Sequence, residues 1–355
     1  MKIISSLKLS ALVGALACAP AGSPPTPVTG RLAADPVIPE SDVRRILSAL
    51  AADSMEGRYT ASPGGKKAAL FIAREMQSAG LSPRGDSGWF QRVPFSSGIA
   101  ANGRRRLTLL DSMQALAAIP DSARRIGYNV IGVLPGSDPV IRDQVVVIGA
   151  HYDHMGIGPA VDGDSIYNGA DDDASGVTTV LSIARALAQG PAPKRTIVFM
   201  ATTGEEQGIL GTRWYVKHPA FPIDKMVADM EIEMIGRPDS MAGGPGKAWL
   251  TGYDRSTMGD MLKASGIPIV ADPYPQHRFF ERSDNIVFAR MGIPAHTLSS
   301  FNLHTDYHKP SDEISKIDFA HMTAVINAAV KAARILADGT APQWKEGGRP
   351  AAPTR

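Results

Sequence analysis

The spacing of apolar positions changes character along the chain. Near the start, Val43, Ile46, Leu47 and Leu50 recur at helical intervals and predict a helix with Ser41 as its N-cap. Ala69, Ile72 and Met76 predict a second helix over 65–79, closed by Gly80. Residues 81–128 are less regular, with short strand-like runs at 89–95 and 106–110 separated by Gly and Ser. From residue 129 onward the two periods alternate. Strands are predicted at 129–134, 144–150, 195–201, 226–235, 247–251 and 294–298. Helices are predicted at 174–189, 206–217, 256–264, 283–290 and 318–337. Alternation of this kind implies right-handed crossovers and an α/β fold with a mixed, largely parallel central sheet flanked by helices.

One strand stands out. Val145-Val-Val-Ile148 is a run of four apolar β-branched residues, the pattern of a strand buried on both faces. It runs directly into Gly149-Ala-His-Tyr-Asp-His154, so His151 and Asp153 fall at its C-terminal end, the edge of an open α/β sheet where ligands bind. The acidic loop Asn168-Gly-Ala-Asp-Asp-Asp-Ala-Ser-Gly176 follows, ahead of an apolar helix. Three adjacent carboxylates repel one another unless a cation lies close. A metal ion answers this for Asp171 and Asp172, whereas Asp173 reads better as a helix cap.

Composition narrows the picture. Hydrophobic residues form 44% and charged residues 20% of the 355 positions, which suits one ordinary globular domain with no inserted second one. The net charge is +2, and no basic stripe with interleaved aromatics is present, so nucleic acid is not an expected partner. Arg104-Arg-Arg106 reads as a solvated turn. At the N-terminus Lys2 and Lys8 flank an apolar run over 9–17 that ends at Cys18, the only cysteine. The run is too short to span a bilayer and predicts a lipoprotein-type signal peptide over 1–18, with Cys18 lipidated. Plain cleavage near Ala17 or Ala19 is the alternative. The expected organisation is a Pro-rich tether over 19–39, a single domain over 40–340 and a flexible tail over 341–355. The protein is then exported, to the periplasm or cell envelope, with an outer-membrane lipid anchor and no internal disulfide.

Three further clusters fall at predicted strand ends. Thr203-Gly-Glu-Glu206 delivers Glu205 and Glu206, Glu233 lies in the apolar run 228–236, and Leu303-His-Thr-Asp-Tyr-His308 carries His308. Histidine and carboxylate donors without thiolate suit a catalytic zinc site. Calcium explains the acidic stretch 162–173 but not the histidines, and the spacing there is not that of an EF-hand loop. His154 reads as a hydrogen-bonded loop residue, His304 as a possible substrate contact, and Asp312 as part of a turn or cap. His218, His277, His296 and His321 read as structural or exposed.

These residues resemble a known family. Gly149-Ala-His-Tyr-Asp, Gly169-Ala-Asp-Asp-Asp-Ala-Ser-Gly, Thr203-Gly-Glu-Glu-Gln-Gly, Glu233-Met-Ile-Gly-Arg and Tyr307-His-Lys-Pro-Ser-Asp are similar to the motifs of the co-catalytic zinc peptidases. That family includes bacterial leucyl aminopeptidases, and glutamate carboxypeptidase and glutaminyl cyclase share its fold. Met55-Glu-Gly-Arg58 and Arg282-Ser-Asp284 extend the resemblance over about residues 40–337. It implies that His151, Glu233 and Asp172 hold one zinc, and that His308, Glu206 and the same Asp172 hold a second. It also implies Glu205 as the general base, Tyr307 as a donor to the oxyanion, Asp153 as acceptor of the His151 ring N–H, and Asp284 as a supporting carboxylate. Two departures bear on this: Glu233 stands where Asp is common, and Asn285 where His is frequent. A longer Glu233 side chain accommodates either two zincs or one, with Glu231 as a rival at that strand. The implied activity is removal of N-terminal residues from peptides. A carboxypeptidase or dipeptidase, a cyclase, and a non-catalytic binding module are the alternatives, the carboxypeptidase requiring a cation such as Arg213, Arg237, Arg278 or Arg282.

Overall fold

A computed structural model describes residues 32–100 and 105–352; Cys18, the whole expected signal segment and most of the tether lie outside them. The first elements are helices α1 (Glu40–Leu50) and α2 (Pro63–Ser78), then strands β1 (Ser82–Pro83), β2 (Phe90–Ile99), β3 (Arg105–Leu109) and β4 (Arg124–Leu134). The alternating region begins with β5 (Val145–His151), a hairpin of β6 (Gly156–Val161) and β7 (Asp164–Tyr167), and α3 (Gly176–Gln189). It continues with β8 (Thr196–Thr202), α4 (Leu210–Lys217), β9 (Met226–Ile232), β10 (Ala248–Leu250) and α5 (Met258–Ala264). β11 (Ile269–Ala271), α6 (Asn285–Met291), β12 (Ala295–Ser299) and α7 (Phe319–Asp338) complete it.

All strands but the β6–β7 pair join one sheet in the order β11-β10-β12-β9-β5-β8-β4-β2-β3, with β1 on β4. β12, β9, β5 and β8 run parallel, and β4, β2 and β3 add an antiparallel flank. The expected mixed sheet is therefore present. β5 lies inside the parallel portion with every residue buried. Val146, Ile148 and Ala150 pack into the core beneath α1, α2, α3 and α7, while Val145 and Val147 pack into the core beneath α4 and α6. Burial on both sides is why the strand reads as an unbroken apolar run. Gly149 interrupts it for a steric reason: a Cβ there would fall within 2.7 Å of Glu231 Cδ and closer still to both carboxylate oxygens.

Several expectations are corrected, each for a local reason. α1 begins at Glu40, with extended Pro39 before it, so Ser41 lies inside the first turn instead of capping it. Ser62 caps α2 by accepting from Gly65 N at 3.1 Å. The helix expected from residue 206 starts only at Leu210, because Ile209 adopts φ 60° and 205–209 form a turn. β9 stops at Ile232, leaving Glu233 just beyond the strand. The β6–β7 hairpin was not foreseen; its signal was Asp162-Gly163, a favoured hairpin dipeptide. The stretch after Gly339, expected to fray, folds back. Trp344 pairs with Ser256, its indole N–H donates to Gly292 O at 2.9 Å, and Lys345 N donates to Arg255 O.

Candidate metal centre

The C-terminal ends of β5, β8 and β9 lie side by side and carry their chemistry to one place. β5 ends at His151, the turn after β8 presents Glu205 and Glu206, and the bend after β9 presents Glu233. Asp172, Glu205, Glu206, Glu233, Tyr307 and His308 line a cleft of about 550 Å³ up to its open mouth. His151 is buried against it, with Nε2 3.4 Å from Asp172 Oδ1. On the other side of the same carboxylate, His308 Nε2 lies 3.2 Å from Asp172 Oδ2 and 3.1 Å from Glu206 Oε2. The two oxygens of Asp172 thus face two different sets of donors.

Of the three consecutive carboxylates only Asp172 is aimed into the cleft. Asp171 and Asp173 instead hold the backbone beyond Glu233. Met234 N donates to Asp173 Oδ1 at 3.0 Å, Ile235 N to Ser175 Oγ at 3.0 Å and Gly236 N to Asp171 Oδ1 at 2.7 Å. Asp173 also accepts from Gly176 N at 2.9 Å, as expected of a cap on α3. Three successive N–H groups are therefore satisfied by the loop that carries Asp172, which fixes Glu233 relative to it. The Asp172–Asp173 peptide is cis. Asp312 closes the arrangement from below, accepting from Asp171 N and Asp172 N at 3.0–3.2 Å.

Asp153 accepts the His151 ring N–H as expected, but through its carbonyl and not its carboxylate. His151 Nδ1 lies 3.1 Å from the Asp153 carbonyl oxygen and 4.0 Å from its carboxylate. The carbonyl can only accept, so Nδ1 carries the proton and Nε2 presents its lone pair towards Asp172. The Asp153 carboxylate instead accepts from Thr60 Oγ1 at 2.7 Å and Glu205 N at 3.1 Å, which positions the Glu205 backbone. Asp284 accepts from Thr202 Oγ1 at 2.6 Å, beneath the site and not in it. Glu231 is likewise buried away from the cleft, beside the equally buried Asp229, and Asn285 bonds Phe280 O and Thr297.

Two histidines and two arginines complete the surroundings. His154 Nδ1 lies 2.9 Å from Glu206 Oε1 and orients that carboxylate. Among the described residues His154, Asp172 and Glu206 also offer ligand atoms within 4.8 Å of one another, so His154 belongs to the centre more closely than its sequence position suggested. His304 Nε2 bonds Asp171 Oδ2 at 3.0 Å, which places it behind the site. Arg237 reaches Asp306 at 2.6 Å and Asp312 at 3.0 Å. Arg58 is fully buried and donates to four carbonyls: Leu50, Tyr152, Asn168 and Gly169, at 2.6–2.9 Å. His296 and His321 bond Ser256 and Ser300 within the fold, as expected of structural histidines.

The electrostatics are those of a site built for cations. Burial pushes the Glu205 carboxyl well above the usual range, against the His151 ring and with Glu233 and Glu206 adding to it. Burial also lifts Glu233 to about 7. Burial opposes the charge on His308, but the Asp172 and Glu206 carboxylates beside it win and raise it to about 10. His154 and His308 overcome burial at Glu206 and hold it well below the ordinary value. Yet His151 Nε2 is buried with no hydrogen-bond partner among the described residues. The separations of 3.4 Å from His151 to Asp172, 3.2 Å from His308 to Asp172 and 3.1 Å from His308 to Glu206 match the edge of roughly 3.3 Å expected between ligands of a tetrahedral ion with bonds of about 2.0–2.1 Å. A buried ring nitrogen without a partner, facing carboxylates at these separations, fits a metal ion.

Comparison with known proteins is consistent with this geometry. Residues 129–333, more than half of the chain, match peptidase family M28. A probable leucine aminopeptidase 2 of Aspergillus oryzae is 32% identical over 176 residues, 48% of this chain and 33% of that protein. A probable zinc metalloprotease of Pyrenophora teres f. teres is 29% identical over 229 residues, 62% of this chain and 46% of that protein. The chain therefore spans a third to under a half of the length of these curated relatives. In fold it is similar to a zinc aminopeptidase of Bacillus subtilis, with a TM-score of 0.61, 16% identity and coverage of 86% and 96% of the two chains. It is also similar to a glutaminyl cyclase of Porphyromonas gingivalis, with a TM-score of 0.55, 16% identity and coverage of 84% and 99%.

Proposed function

The chain belongs to peptidase family M28, and from that premise we propose that it is a zinc-dependent aminopeptidase that removes N-terminal residues from peptides. The observation that carries the reading is the division of Asp172 between two donor sets, His151 on one oxygen and His308 with Glu206 on the other. We assign His151, Glu233 and Asp172 to one zinc and His308, Glu206 and Asp172 to a second. Bound zinc would supply Lewis acidity and a water of lowered pKa.

Glu205 lines the cleft without being needed as a ligand. Its raised proton affinity suits a group that takes a proton from the attacking water and returns it to the leaving amine. The Asp153 carboxylate holds the Glu205 backbone N–H, so the base is positioned from the same loop as His151. Tyr307 stacks on His308 with ring centroids 3.8 Å apart, and burial keeps its phenol protonated, able to donate to an oxyanion.

The test is product analysis by mass spectrometry on zinc-loaded protein, using peptides with free and acetylated N-termini. Stepwise loss from free N-termini alone is the expected result; failure to cleave any peptide with zinc bound would overturn the assignment. We further assign the protein to the cell envelope through lipidation at Cys18. Incorporation of labelled palmitate, abolished by Cys18→Ser, is expected. Among the described residues no helix is long and apolar enough to cross a membrane.

A further inference from the structure

The cleft is lined by two unlike kinds of side chain. Beside the carboxylates Asp172, Glu205, Glu206 and Glu233, its lining includes the apolar Met234, Trp249, Phe279 and Phe301. Arg282 is the one arginine lining the cleft among the described residues. Its guanidinium lies 5.1 Å over the Phe279 ring. That ring is itself stacked on Trp249, with centroids 5.4 Å apart and planes at 28°. A rigid aromatic platform thus carries the cation. The next residue, Ser283, hydrogen-bonds the Glu233 carboxyl, so Arg282 stands one residue from the metal-facing end of the cleft.

The other candidate cations nearby are occupied. Arg237 is held by Asp306 and Asp312, and Arg278 by Glu281. Arg282 is solvent-exposed and, among the described residues, has no carboxylate within ion-pair distance although four line the same cleft. A planar fork stacked on an aromatic ring, with its donors free, is the arrangement that recognises a carboxylate in two-point fashion.

We infer that Arg282 is a specificity-determining residue that holds a carboxylate of the substrate, either the C-terminus of a dipeptide or the acidic side chain of the residue removed. The inference rests on the exopeptidase reading above, deepening it by naming a substrate class. Asp172, Glu206 and Glu233 would be taken up by bound metal, which leaves the Arg282 guanidinium as the cleft's one side-chain cation without a carboxylate partner among the described residues.

The experiment compares acids with their amides. Zinc-loaded protein is assayed on Leu-Gly, Leu-Gly-amide, Glu-Gly-amide and N-acetyl-Leu-Gly. A preference for Leu-Gly over its amide, on the order of tenfold or more and carried by KM, locates the carboxylate at the C-terminus. The same preference for Glu-Gly-amide over Leu-Gly-amide locates it on the side chain. In either case Arg282→Gln should bring the ratio close to one, and Arg282→Lys should restore part of it. Cleavage of N-acetyl-Leu-Gly but not Leu-Gly-amide would support the role of Arg282 while overturning the aminopeptidase reading. Affinities of the same compounds, measured by calorimetry on zinc-loaded Glu205→Gln, give the acid-to-amide ratio whether or not turnover occurs. A ratio of one in the unsubstituted protein, or a ratio unchanged by Arg282→Gln, overturns the inference.

Discussion

Gly149→Ala tests the packing at the end of the central strand. The added methyl group would meet the Glu231 carboxyl, with Cδ at 2.7 Å and both oxygens nearer. Ordinary contact lies near 3.5 Å, so something must move by about an ångström. Glu231 is 1% exposed and its strand is paired on both sides, so the side chain has little room to retreat. Overpacking of this kind costs roughly 1–3 kcal/mol, against which the stiffer unfolded chain returns about 0.4–1 kcal/mol. A net destabilisation of about 1–2 kcal/mol is expected from urea unfolding of metal-stripped protein. Strand displacement should also weaken zinc binding, because His151 lies two residues further on. The control is the double substitution with Glu231→Ala, which removes the obstructing group. If the clash is the cause, the two changes couple favourably by about 1 kcal/mol or more. Additive effects, or a neutral Gly149→Ala, would refute the reasoning.

Glu205→Gln should lower kcat by on the order of 10²–10⁴ while zinc content by elemental analysis stays at the unsubstituted level; retained turnover would reassign the base. Arg58→Met leaves four carbonyls without their donor and should cost about 3–5 kcal/mol in denaturant unfolding, with Arg58→Lys recovering part of it. Metal-stripped protein should lose stability as pH rises. The folded-state value of His308 lies above its unfolded value of about 6.5, so its contribution is complete below that pH and disappears as pH climbs through about 10. Glu233, raised to about 7, acts with the same sign over its own range. Zinc should reverse the trend, since binding displaces those protons; calorimetry in buffers of different ionisation enthalpy should register proton release near neutral pH.

The parts of this structure that could be read from sequence are those in which burial is uniform. β5 announced itself because both of its faces are covered, and α7 because one face repeats at helical spacing. The β6–β7 hairpin, mostly exposed, has no such pattern. At the site, residue types and strand ends pointed to His151, Glu205, Glu206, Glu233 and His308 as neighbours, and the structure places them around one cleft, with His151 buried against it. Sequence marked Asp173 as a cap and, through the resemblance, Asp172 as a ligand, but could not show that Asp171 and Asp173 also hold the backbone beyond Glu233. That role depends on which backbone N–H groups are left without partners after β9, a fact of three-dimensional packing. The same limit explains why the Asp153 carboxylate serves Thr60 and Glu205 while its carbonyl takes the His151 ring N–H. Arg58 was visible only as part of a motif, since arginine is rarely buried and nothing local reveals four carbonyl acceptors from three stretches of chain.

That last contact network bears on where the working unit of the protein begins. The family match starts at Asn129, and every residue assigned here to metal or proton transfer lies beyond it. Yet the loop bearing Asp172 and the strand end bearing His151 are both tethered to a cation at position 58, which is in turn tied to the last turn of α1. A fragment cut at residue 129 would keep its full chemical inventory and lose the bracket that holds it in register. Such a fragment should bind zinc weakly and turn over poorly, and supplying residues 32–128 as a separate chain should restore both. In this molecule the stretch that carries the family's signature is not independent of the stretch that precedes it.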